Sequence, residues 1–332
     1  MQAALASMPG SLTATGISWP PVCREVDRRG DVMDARVPDA EAMADLLGHH
    51  LPGFRVVSAV CLGQGLDNVS YEINGELIIR FSKECDPDRR AELVSGEARL
   101  LAVVASISPV PVPDPIFVAP ERGCLAYRKL AGRPMIDLPS GIGATHTDSV
   151  AAVMGEVLSA LHTTTQGQIG DLVEIDVQPM QLWLTEAADN YAAVATALPS
   201  IHRRAAETFF STPPPADCAD IVFSHNDLGI EHILFDPRAA RVTGILDWSD
   251  AAMIDPAYDF GLLYRDLGPT ALTIAMHTYR TRTRADEGTH ARAQFYARCS
   301  VFEDLAYALR TGHTEYLDKS LDSLRWLFPT GH

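Results

Sequence analysis

The chain has 332 residues, 47% of them apolar, enough to bury a large core in one or two domains. With 27 Lys and Arg against 43 Asp and Glu it carries a formal charge of −16, which argues against nucleic acid or an anionic membrane as partner and suits a cationic ligand. The six cysteines (Cys23, Cys61, Cys85, Cys124, Cys218 and Cys299) form no CxxC pair, so a reduced, cytoplasmic setting without zinc is expected. No apolar run reaches spanning length, and the N-terminus lacks the basic start and apolar core of a signal peptide.

Residues 1–38 mix Pro, Gly, Ser and charge without periodicity and read as a mobile extension. Residues 39–51 have helical spacing behind an Asp39 cap. A strand is expected over Arg55–Cys61, then the turn Gly63-Gln64-Gly65, then strands over Val69–Ile73 and Glu76–Phe81 joined by Asn74-Gly75, a strong hairpin signal. Gly63 and Gly65 would let a phosphate approach the backbone, since neither carries a side chain. Asp86-Pro87 opens a helix in which Leu93, Glu97, Leu100, Leu101 and Val104 share a face, and a Glu within that stripe calls for a cation. Arg80, in LIIRF, is the natural partner.

Further strands are expected over Ile116–Ala119 and Leu125–Leu130, after which LAYRKLAGRP turns from strand to loop. From Thr147 the pattern is helical: Val150–Thr163, Gln181–Ala197 and Ile201–Phe210 precede the breaker Pro213-Pro214-Pro215. His162, at the end of the first of these, reads as a packed rather than a catalytic residue.

The stretch from Val222 to Trp248 then gives an apolar strand, a polar loop, a short strand from His232, a turn at Asp236-Pro237 and a strand ending in Asp247. Such a hairpin aims two carboxylates at one place. Phosphoryl transfer needs that: one carboxylate receives the proton of the attacking hydroxyl, and another holds the magnesium that bridges the nucleotide phosphates. Asp227 is the candidate for the first role, with His225 bracing the loop, and His232 and Asp247 are the candidate metal ligands.

HNDLGIEHILFD and GILDWSDAAMIDPAYDF resemble the aminoglycoside phosphotransferase family, and are most similar to its 2″-phosphotransferase branch. The resemblance runs from about Leu51 to Phe328 and implies an α+β, protein-kinase-like, two-lobed fold: a nucleotide-binding lobe over 39–126, a hinge over 127–134, and a helical lobe over 135–332. It implies Mg2+ with ATP or GTP as phosphate donor, and a monomer or weak dimer. By the same resemblance Arg80 stands at the phosphate-contacting cation, paired with Glu97, with Lys83 as fallback, while Arg128 and Leu130 stand where backbone groups meet the purine and Tyr127 sits beside them.

The implied acceptor is a small, cationic, hydroxylated molecule such as an aminoglycoside antibiotic, and Asp250, Asp266, Glu303, Asp304 and Tyr316 are candidate contacts for it. Only Asp266 follows the segment matching Asp259-Phe260 as a carboxylate, beside Arg265, so a macrolide or another small hydroxylated metabolite is the alternative acceptor. A nucleotide-binding pseudokinase is the further alternative, suggested by Arg80 and His232 in place of Lys and Asn. Asp255 and Asp259 read as caps of a helix from Tyr258, and helices over Ala271–Tyr279, Arg292–Leu309 and Tyr316–Leu327 complete the chain.

Overall fold

The computed structural model describes residues 25–26, 32–33, 40–64, 67–218, 220–283 and 286–329. They divide into two compact units: the described residues up to Ala102 with Pro113–Lys129, and Val103–Val112 with the described residues from Leu130 onward. Of the expected N-terminal extension, only the antiparallel pair Glu25–Val26 (β1) and Val32–Met33 (β2) falls among the described residues. The Asp39 cap and Gly65 lie outside them.

The first unit is a five-stranded antiparallel sheet of Ala59–Gln64 (β3), Asn68–Ile73 (β4), Leu77–Ser82 (β5), Pro115–Ala119 (β6) and Cys124–Arg128 (β7), in the order β3-β4-β5-β7-β6. The Asn-Gly hairpin is as expected: Asn74 and Gly75 both take left-handed conformations, φ 54° and 75°, which matches the twist of the flanking strands. The Asn74 side chain also explains why β3 begins at Ala59 and not at Arg55. Its Oδ1 accepts the N–H groups of Val57 (2.8 Å) and Ser58 (3.0 Å), so this segment bonds to a side chain instead of joining the ladder. A helix over Ala40–His50 (α1) contributes Met43 and Leu47 to a core with Ile73, Ile79 and Ala126.

The helix Pro87–Ile107 (α2) starts where expected, with Asp86 Oδ1 accepting the N–H of Arg89 at 2.8 Å. Of the stripe read in the sequence Leu100, Leu101 and Val104 are buried as expected, while Leu93 is 49% exposed and Val94 is buried in its place.

In the second unit Arg133–Pro134 (β8) is followed by the helix Ser140–His162 (α3), the short helix Gln166–Ile169 (α4), the strand Glu174–Ile175 (β9), and the helices Met180–Val194 (α5) and Ser200–Phe210 (α6). α3 begins ten residues before the expected Val150, directly after Pro139, because the glycines of its first turns dilute the apolar period without breaking the helix. The strands Val222–Ser224 (β10), Ile233–Asp236 (β11), Arg241–Ile245 (β12) and Ala252–Ile254 (β13) come next. The helices Ala257–Arg280 (α7), Thr289–Thr311 (α8) and Thr314–Leu327 (α9) follow. α7 joins two segments that Gly268-Pro269 splits in the sequence. Gly268, at φ 85° and ψ −175°, absorbs the kink and lets the helix resume.

α3 lies close against α7, and Gly155 makes this possible: a Cβ there would stand 2.4 Å from the carbonyl oxygen of Ala275. An aromatic group of Phe209, Phe210, Phe295, Phe302 and Phe328 joins α6 and α8 to the end of α9. Among the described residues no helix is long and apolar enough to cross a membrane.

Candidate active site

The sheet topology of the second unit brings its two acidic loops together. β10 pairs with β13, and β11 pairs with β12. The loop 225–232 leads from β10 to β11, and the loop 246–251 leads from β12 back to β13. Both therefore cross between the same two small sheets and run side by side. Their ties are direct: the Leu246 N–H donates to the His232 carbonyl (2.9 Å), and the Asn226 side chain donates to the Asp250 carbonyl (2.9 Å).

His225 is fully buried and both its ring nitrogens are used. Nδ1 accepts the N–H of Asp227 at 3.2 Å, so the proton must sit on Nε2, which donates to the Leu246 carbonyl at 2.8 Å. Burial first, and His232 second, push this imidazole down to about 3, so it braces the loop as a neutral ring. That is the role expected from the sequence. The Trp248 ring packs 4.5 Å from it, centroid to centroid.

The sequence reading gave Asp259 the task of capping its own helix, and the structure corrects this. Its carboxylate is fully buried, and Oδ2 accepts the N–H of His225 (2.9 Å) and of Asn226 (3.3 Å), so it holds the start of the 225–232 loop. Burial pushes its carboxyl up to about 6, against the pull of those donors. Asp255 does serve the first turn of α7, accepting the Ala257 N–H at 2.9 Å, and it is also bound by Arg292 Nε at 2.7 Å.

Each loop carries a non-glycine residue in the left-handed region at its acidic position: Asn226 (φ 64°) just before Asp227, and Asp247 itself (φ 54°). Such conformations cost about 1–2 kcal/mol each and concentrate where a side chain must be aimed. Asp227 keeps 39% of its side chain accessible. The protein around it still desolvates the carboxyl and pushes it up to about 7, with His232 opposing and Glu231 and Asp250 adding to the shift.

His232 Nε2 lies 3.3 Å from Asp227 Oδ2, and Asp227, Glu231 and His232 bring ligand atoms within 4.8 Å of one another. Asp247, paired with His232 in the sequence reading, is not in this tight group; its Oδ1 accepts the Ser249 hydroxyl. The three residues of this group lie on one loop, and its two carboxylates suit a hard divalent cation better than its imidazole does. Glu231, a member of the group that the sequence reading passed over, is bound by Lys319 at 2.7 Å.

The candidate acceptor contacts are placed differently. Asp266 and Asp304 are bound internally: Arg265 contacts Asp266 at 2.7 Å and Asp304 at 3.1 Å, and Lys319 contacts Asp304 at 3.1 Å and Asp266 at 3.5 Å. Asp266 also accepts the Ile230 N–H at 3.1 Å. Tyr316 is half-buried, while Asp250 and Glu303 are exposed.

In the first unit the expected pair is formed, with Arg80 Nη1 3.0 Å from Glu97 Oε1 and side chains 10% and 18% exposed. Arg80 is therefore not a surface strand residue. No described atom lies within 4 Å of where a Gly63 Cβ would stand, so the glycine leaves open space there. Tyr127 is buried and Arg128 exposed at the end of β7, and Leu130 is half-buried in the second unit.

The sequence profile of the phosphotransferase enzyme family matches residues 59–296. The chain belongs to that family. It is also 30% identical over 263 residues to the uncharacterized protein YcbJ of Bacillus subtilis (strain 168), which covers 74% of this chain and 82% of that relative. Among solved structures it resembles the GDP and kanamycin complex of APH(2″)-IIIa (TM-score 0.61, 20% identity), over 85% of this chain and 97% of the other. It resembles a macrolide 2′-phosphotransferase type I as well (TM-score 0.57, 22% identity), over 87% and 98%. These matches establish the α+β fold expected from the sequence, and family membership makes the protein a phosphotransferase.

Proposed function

We propose that this phosphotransferase moves the γ-phosphoryl group of ATP or GTP onto a hydroxyl of a small molecule, with Asp227 as the group that orients the hydroxyl and takes its proton. The observation that carries the reading is the bracing of the loop 225–232. A buried Asp259, a neutral His225 of fixed tautomer and a left-handed Asn226 converge to aim one carboxylate. GDP, ATP and kanamycin appear in the names of structural neighbours, which supports a nucleotide donor and a hydroxylated antibiotic as acceptor.

In the reaction the acceptor oxygen donates its hydrogen bond to Asp227, forms the new bond to phosphorus and loses its proton to that carboxylate. The bond from phosphorus to the bridging oxygen breaks, leaving a nucleoside diphosphate. Magnesium, when bound, supplies charge neutralisation at the phosphates, and Asp247 and His232 are the residues that would hold it. His225 stays neutral and keeps the Asp227 backbone in place. Arg80, held by Glu97, is the cation available to phosphate oxygens in the first unit.

The acceptor is an aminoglycoside-like or a macrolide-like antibiotic, and its modification would give resistance. The internal pairing of Asp266 and Asp304 favours the less cationic of the two. Incubation with magnesium, either nucleotide and a panel of both antibiotic classes, read by mass spectrometry, tests the proposal. A phosphorylated acceptor is expected. Nucleotide binding without any acceptor product would favour the pseudokinase reading.

A further inference from the structure

Five charged side chains meet beside the candidate base, all within the second unit: Glu231 from the loop 225–232, Arg265 and Asp266 from α7, Asp304 from α8 and Lys319 from α9. Their side chains are between 1% and 13% exposed. Three carboxylates face two cations. Lys319 Nζ occupies the middle, 2.7 Å from Glu231, 3.1 Å from Asp304 and 3.5 Å from Asp266. The Tyr316 ring covers the same ammonium at 4.8 Å.

A primary ammonium among three carboxylates, roofed by an aromatic ring, is what a site for an alkylamine would look like with its ligand bound. Here the ligand is part of the chain. We infer that Lys319 is a built-in counter-ion that fills the amine seat beside Asp227, so that the acceptor selected by this enzyme is a neutral or singly charged hydroxylated molecule and not a polyamine. The inference rests on the proposed phosphotransfer to a small hydroxylated acceptor and narrows it.

Two features favour an already filled seat over a merely structural ion pair. The seat lies on the loop that carries the candidate base, since Glu231 shares the tight group with Asp227 and His232, and Asp266 holds the Ile230 N–H. Arg265 makes a fork on Asp266 at 2.7 and 2.9 Å and reaches Asp304 at 3.1 Å, so the carboxylates keep one cation whatever becomes of Lys319. Removing Lys319 therefore opens one ammonium-sized vacancy with a net demand for positive charge.

The test uses Lys319→Ala in the full chain, with n-butylamine as the probe of the seat and kanamycin as the polyamine. Lys319→Ala is expected to melt below wild type, and millimolar n-butylamine to restore its melting temperature saturably, with the effect fading at high salt. Kanamycin affinity should rise at least tenfold over wild type, while Lys319→Arg behaves as wild type in both assays. Absence of both the rescue and the gain in affinity would overturn the inference. Should Lys319→Ala fail to fold, Lys319→Gln takes its place and wild type alone still decides: saturable, salt-sensitive kanamycin binding at micromolar concentration would contradict a filled seat. These readouts are binding and melting, so they stand apart from whether any acceptor is turned over.

Discussion

Asp259→Ala should uncouple the loop 225–232 from the rest of the second unit. The wild-type carboxylate lies at zero exposure and accepts two backbone N–H groups, from His225 at 2.9 Å and Asn226 at 3.3 Å. Alanine would leave both donors buried without a partner. Each orphaned donor costs about 1–3 kcal/mol, so a loss of roughly 2–5 kcal/mol is expected. In a unit of this size that lowers the melting temperature by roughly 5–15 °C.

Asp259→Asn separates geometry from charge. The amide oxygen can keep accepting from the loop, while its NH2 takes the place of Oδ1, a buried oxygen that makes no hydrogen bond. One unsatisfied group is then exchanged for another, so the loss should be smaller than for alanine. Thermal denaturation and turnover of both variants check the reasoning. Alanine should lose more stability than asparagine, and turnover should fall with it. An alanine variant that melts and turns over like wild type would refute the view that Asp259 holds the loop.

Arg80→Ala should remove the cation 3.0 Å from Glu97, which is 18% exposed, at a cost between the surface and buried limits for ion pairs, about 1–3 kcal/mol, and should raise the KM for nucleotide; Arg80→Lys should recover most of both, read by urea melts and initial rates. Gly155→Ala should destabilise by about 1–3 kcal/mol, since its Cβ would meet the Ala275 carbonyl at 2.4 Å; calorimetry of the variant checks it. His162 is buried between Tyr279 and Ser224, and burial holds its pKa at about 3 against an ordinary 6.5. A base with a depressed folded pKa contributes stability that is present above pH 6.5 and is lost as the pH falls towards 3, by up to about 1.4 kcal/mol per pH unit. His162→Gln should flatten that part of the stability–pH curve.

The elements set by local chemistry were legible in the sequence. Asn74-Gly75 could be little but a tight hairpin, and Asp86-Pro87 could start a helix. The Arg80–Glu97 pair followed from the cost of burying a carboxylate on an apolar stripe, although Leu93 proved to lie off that stripe because the helix turns Val94 inward. The His225 brace was legible because a histidine two residues before a candidate base has few other uses.

What escaped depends on distant contacts. Lys319 meets Glu231 across 88 positions, and nothing near either residue in the chain announces the other. Asp259 sits in the first turn of α7, where a cap is the ordinary expectation, and only the fold reveals that its carboxylate faces the loop at His225. Asp266 and Asp304 looked available to a ligand because their partners, Arg265 and Lys319, reach them through three-helix packing. The adjacency of Arg265 and Asp266 was the one signal in the sequence, and it read as a change of charge and not as a pair.

The central claim is that Asp227 takes the proton of an acceptor hydroxyl during phosphoryl transfer. Turnover and nucleotide binding of Asp227→Asn, measured beside wild type on one accepted substrate, test it most directly. The account predicts that turnover falls by a factor of about 10²–10⁴ while nucleotide affinity stays within a few-fold. Turnover within a factor of about two of wild type would contradict it, because a loss that small is less than any positioned base contributes.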